Sequence, residues 1–219
     1  MGLFITILPL VIATAYSPVM LGTVIAILSH KQNPSEKILY YGAGSLVALI
    51  ILTTIGLTSS RLLQAALPLN YIFASNVINI LIGALLVLLA LWISRKPPSD
   101  KPMIITDNHI YLMILGLVMT IGNYTSVPFY LTAMKEIIIS SDDFYIKILV
   151  ILILDFAMLV PILVPLFIYG LTKKHGQGTL QKIQGLIHKY SNRIVIFLLK
   201  IIGLYLILKG LYGVIINKG

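Results

Sequence analysis

The chain has 219 residues, of which 58% are hydrophobic and 11% charged, and its mean hydropathy is +1.00. A soluble domain carries about a quarter charged residues, and a chain of this size cannot bury so much apolar surface in water. The composition excludes a soluble globular domain and predicts an all-α integral membrane protein. The absence of cysteine excludes disulfides and thiolate metal sites. The net charge of +9 fits basic loops on a cytoplasmic membrane face, so no nucleic-acid partner is expected.

Six apolar runs, at about 3–29, 38–58, 71–94, 110–134, 145–171 and 194–216, are long enough to span a hydrocarbon core. The first contains Ala13-Thr14-Ala15, which mimics a leader-cleavage site. No basic segment precedes it and the apolar run continues to Leu28, so a retained helix is expected. Loops 30–37, 95–109 and 172–193 hold ten Lys and Arg residues, against four on the other side: Arg61, Lys135, Lys147 and Lys218. The positive-inside bias places those three loops in the cytoplasm and both termini outside a cell membrane. In the last of them, Thr179 can cap a segment in which Leu180, Ile183, Leu186, Ile187 and Tyr190 recur at helical spacing. That segment reads either as a short helix in the inner headgroup layer or as a solvated connector.

Six spans divide into two three-helix repeats of opposite orientation, 1–94 and 110–219, joined by a cytoplasmic linker over 95–109. The first span is interrupted at Tyr16-Ser17-Pro18 and the fourth between Asn123 and Pro128. The third and sixth share an Ile-Gly-x-x-Leu-x-Leu pattern beginning at Ile82 and Ile202. Inverted repeats with broken helices are a recurrent plan of secondary transporters, which bind substrate near the midplane. Proline removes a backbone donor and displaces the carbonyl one turn earlier. Ser17, Pro18, Asn123, Thr125, Ser126 and Pro128 are therefore expected to line one substrate cavity. The alternative is two kinked helices whose hydroxyls bond back to their own backbone.

Asp155 lies deep in the fifth span, where an ionisable group normally faces the bundle interior with a partner. Lys200 and Lys209 in the sixth span point to opposite faces of their helix. Side chains lean toward the helix N-terminus, which favours an Asp155–Lys209 pair and leaves Lys200 to snorkel toward the inner headgroups. The alternative is a neutral, hydrogen-bonded Asp155 with both lysines snorkelling. Gly42 and Gly44 are expected to permit close helix packing. Pro161 and Pro165 are expected to bend the fifth span, and Trp92 to anchor at the interface.

Four stretches carry a family resemblance: Ser17-Pro18-Val19 through Leu28-Ser29; Gly42-Ala43-Gly44; Leu159-Val160-Pro161 through Pro165-Leu166; and Ile187 through Arg193 with Gly203 and Lys209-Gly210-Leu211. With them the chain resembles the glycopeptidolipid- and sulfolipid-addressing proteins of the lysine-exporter superfamily. It departs from the common family pattern in the fourth helix, where Asn123 is followed by Tyr124 and the proline comes only at Pro128. The resemblance implies a membrane exporter that moves a lipid or glycolipid toward the cell surface. The alternatives are an amino-acid or cation exporter, or an accessory subunit of a larger lipid exporter. Asp155 is the only carboxylate placed within a span, which disfavours metal export. No enzymatic activity, cofactor or metal is expected. The expected partners are membrane lipids and the transported substrate, with a homo-oligomer or export complex left open.

Overall fold

The computed structural model describes residues 3–30, 33–66, 71–95, 107–172 and 176–216, and side chains in most of these. Eight helices follow in chain order: α1 Leu3–Ala15, α2 Pro18–Leu28, α3 Pro34–Ala66, α4 Tyr71–Ser94, α5 His109–Ile121, α6 Val127–Ile139, α7 Phe144–Thr172 and α8 Gly176–Ile216. No strand occurs among the described residues. Segments Pro34–Ser59, Ser75–Ser94, Phe144–Leu171 and Arg193–Ile215 are long and apolar enough to cross a membrane. The pair α1 and α2, bent by 41° at its break, makes a fifth candidate span. The protein is a multi-pass, all-α membrane protein.

The fourth apolar run is divided between two short helices, and their course is set by α3. Tyr40 stacks on His109 with ring centroids 4.1 Å apart. Further along, Ser45 Oγ donates to Gly116 O at 3.4 Å, and Thr53 Oγ1 lies 2.6 Å from Tyr130 Oη. Gly56 then packs against the Met134 side chain. These contacts climb both segments in the same direction, so α5 and α6 follow one another along α3, parallel to it. From Tyr40 to Gly56 the rise is roughly 24 Å, most of a hydrocarbon core.

Glycine governs the closest helix crossings. A Cβ on Gly83 of α4 would come within 2.5 Å of the Gly203 carbonyl oxygen on α8, and one on Gly203 within 2.8 Å of the Gly83 oxygen. Gly44 meets the α5 backbone at Met113 and Leu117, whereas a Cβ on Gly42 would touch nothing within 4 Å. Of the two glycines expected to permit packing, only Gly44 does. Small residues let helix backbones approach where lipid provides no hydrophobic drive for association.

The buried residues form two clusters. One joins α1 and α6 with parts of α3, α4, α7 and α8, through Leu10, Leu52, Leu86, Tyr130, Leu154 and Leu199. The other joins α2 and α5 with the first part of α3 and Ile162 of α7, through Val24, Ile38, Tyr41 and Leu112. The two halves of each broken run therefore belong to different clusters, and both breaks lie between them.

Several boundaries differ from the sequence expectation. Lys135 is not in a loop: α6 continues to Ile139, because Ile137, Ile138 and Ile139 extend the apolar helix past Lys135 and Glu136. The segment after Gly176 is not a separate short helix but the beginning of α8, 41 residues and roughly 61 Å long. Pro161 and Pro165 lie inside an uninterrupted α7, and Trp92 is exposed. Lys31, Lys96, Lys101, Lys173, Lys174 and Lys218, and residues 96–106 of the linker, lie outside the described residues.

Candidate functional site

The two chain breaks meet. Ser17 is the N-cap of α2, with Pro18 at the first helical position, and its Oγ accepts from Met20 N at 3.3 Å. Proline is favoured there because the missing N–H would be unpaired in any helix. Asn123, between α5 and α6, donates from Nδ2 to the same Ser17 Oγ at 2.8 Å. Its Oδ1 accepts from Thr125 Oγ1 at 2.6 Å and from the backbone N–H groups of Thr125 and Ser126 at 3.3 Å. An Asn can thus replace a backbone turn, which accounts for a break that needs no proline directly after Asn123. Pro128 enters only in the first turn of α6.

Ser17, Asn123, Thr125 and Ser126 are all buried, at 0–4% exposure. Two hydroxyls here, Thr120 Oγ1 and Ser126 Oγ, have no hydrogen-bond partner. A buried polar group left unsatisfied costs about 1–3 kcal/mol, so the junction holds hydrogen-bonding capacity its own fold does not use.

Beside the junction, Tyr130 of α6 donates to Asp155 Oδ1 at 2.6 Å, and Thr53 of α3 reaches the same oxygen at 3.4 Å. Asp155 is therefore held by hydroxyls from two other helices. The expected Asp155–Lys209 pair does not form. Lys209 Nζ instead meets Glu136 Oε2 at 2.6 Å, while Lys200 is exposed on α8. The physical reason is that α6 runs a turn further than the hydropathy break suggests and brings Glu136 within reach of α8.

Glu136 also faces Lys135, whose Nζ is 3.2 Å from Oε1. Lys135 Nζ crosses from α6 to α4, where it donates to Asn79 Oδ1 and, at 3.4 Å, to Ser75 O. It closes one end of a groove of about 500 Å³ between α4 and α6. Ile78, Ile82 and Leu85 form one wall, Val127, Pro128 and Leu131 the other, and Ser59 and Thr132 add hydroxyls. Leu85 is 61% exposed, so the groove opens on the outer surface of the helices. Its polar end and apolar length match an amphiphile rather than a small polar solute.

The family model described as "Sap, sulfolipid-1-addressing protein" matches residues 7–212. The chain belongs to this sulfolipid-addressing family. No curated protein and no solved structure matches it.

Within this member of the family, the structure gathers the break residues expected from sequence but does not arrange them around one open cavity. Ser17, Asn123, Thr125 and Ser126 pack against one another, and Pro18 is buried beside them. Only Pro128 lines the groove. Thr125 also borders a small gap with Tyr16, Phe129 and Val195, too tight for water. Sequence reasoning missed Thr53, Tyr130, Glu136, Asn79 and Ser75. The signal for Glu136 was present: the isoleucines after it place a Lys-Glu dipeptide inside an apolar helix.

Proposed function

We propose that this protein is an exporter that moves a lipid or glycolipid toward the cell surface, using the groove between α4 and α6 as its substrate path. The groove carries this reading: apolar walls for an acyl chain, a mouth at the helix surface and a cationic end at Lys135. The family's printed description, sulfolipid-1-addressing protein, agrees with a lipid cargo. The reading is transport rather than catalysis.

The mechanism we propose is alternating access between two inverted three-helix repeats, α1–α4 and α5–α8, as in the lysine-exporter superfamily. Three observations support it. Each repeat begins with a broken run whose second half has a serine at its N-cap and a proline in its first turn. The pattern-matched Gly83 and Gly203 are each other's contacts, as residues near a pseudo-two-fold axis would be. α1 packs with α6, and α2 with α5, so the half-helices exchange partners between repeats. On this reading there are six spans in the cell membrane, with both termini outside and the break junction as hinge.

Reconstitution into liposomes with a labelled lipid and a labelled amino acid tests the proposal. Protein-dependent lipid movement supports it. Movement of the amino acid alone overturns it in favour of a small-solute exporter. Lipid movement only with a larger exporter present reassigns the chain as an accessory subunit.

A further inference from the structure

The charges at the closed end of the groove do not balance. Lys135 and Lys209 share one carboxylate, that of Glu136, so two ammonium groups and one anion leave a positive charge in excess. Lys135 is buried, and Glu136 is only 12% exposed at its side chain. Concentrating like charge in an apolar bundle is expensive and marks a functional site by default. Lys135 alone of the three lines the groove. Its other partners, Asn79 Oδ1 and Ser75 O, are neutral acceptors that an anion can displace.

We propose that Lys135 is the headgroup-binding residue of the groove, and that the occupant is a membrane lipid with an anionic sulfate- or phosphate-type headgroup. The acyl chain lies along Ile78, Ile82, Leu85 and Leu131, and the headgroup oxygens accept from Lys135 Nζ. Asn79, released from Lys135, offers its amide to the same headgroup. Glu136 holds the two lysines together and, with Lys209, positions the ammonium at the groove end. Lys135 spans from α6 to α4, so headgroup binding exchanges an interhelical contact for a ligand contact and loosens α4 from α6 as cargo enters. This inference rests on the lipid-export reading and names the residue that distinguishes its cargo by headgroup charge.

The test uses the full chain in detergent and a photoactivatable phosphatidylglycerol with the reactive group in its acyl chain. Cross-links are expected in the peptides of α4 and α6 that hold Ile82 and Leu131. Unlabelled phosphatidylglycerol is expected to compete roughly tenfold better than phosphatidylcholine or diacylglycerol of the same chains, as for a charge-assisted hydrogen bond. Sodium sulfate and inorganic phosphate alone should compete weakly. Strong competition by the free ions would assign the site to a soluble anion and overturn the lipid assignment. Lys135→Gln should abolish the preference while keeping the cross-linked peptides, and Lys135→Arg should retain it. Arg193→Gln, at the other end of the α8 span, should leave it unchanged. The wild-type competition series decides the matter even where a variant does not fold. Cross-linking at α4 and α6 without headgroup preference overturns this inference and leaves lipid export standing. No cross-linking there with any lipid overturns both.

Discussion

Asn123 Nδ2 and Ser17 Oγ, 106 positions apart in the chain, are joined by a 2.8 Å hydrogen bond that ties one helix break to the other. Each break alone leaves backbone groups without helical partners, which lipid does not satisfy. Each break answers backbone N–H groups with its own side chain, Ser17 Oγ at Met20 and Asn123 Oδ1 at Thr125 and Ser126, and the joint between them lies where the two buried clusters meet. Asn123→Ala should destabilise the protein by about 2–3 kcal/mol, because it strands the donors at Thr125 and Ser126 and removes one of the two donors to Ser17 Oγ. Ser17→Ala should cost about 1 kcal/mol, the value of an N-cap. Thermal unfolding in detergent should show the double variant well short of additive.

The Gly83–Gly203 crossing predicts a steep size dependence. Gly83→Ala pushes a methyl group against the α8 backbone and should cost about 1–3 kcal/mol, as overpacking does. Gly42→Ala meets nothing and should be neutral or stabilising by up to about 1 kcal/mol through helix propensity. Equal effects on melting temperature would contradict the packing described.

Lys209 should couple to Glu136 and not to Asp155. Breaking a buried ion pair costs about 3–5 kcal/mol, and about 2–3 is expected here because Lys209 is 30% exposed. In a double-mutant cycle, Lys209→Met with Glu136→Gln should recover part of the single losses. Lys209→Met with Asp155→Asn should be additive.

At the other end of α3, Lys37 is buried and forms an ion pair with Asp107, with His30 Nδ1 also 2.6 Å from Nζ. The hydrogen bond from Lys37 holds the Asp107 carboxyl below its ordinary range. A depressed carboxylate stabilises the fold above its unfolded pKa, and that contribution is lost as pH falls through the folded value. Wild type should therefore lose stability below about pH 4 more steeply than Asp107→Asn. A parallel acid dependence of the two melting curves would remove Asp107 from the account.

Much of this protein was legible in sequence because the bilayer imposes its rule residue by residue. An apolar helix must be long enough and must satisfy its backbone internally, so composition and run length alone identified a multi-pass helical protein. The interruptions at Ser17 and Asn123 were legible for the same local reason: caps and prolines act on their own neighbours. Partner choice was not. Hydropathy marks where an average turns polar, and it stopped the fourth run before Glu136, although α6 holds its hydrogen bonds to Ile139. That one turn redirected Lys209 from Asp155 to Glu136 and placed Lys135 at the end of a groove. Which lysine meets which carboxylate depends on helix register and on crossings set by Gly83, Gly203 and Gly44. Those distances arise only when the helices pack, and no local preference in the chain encodes them.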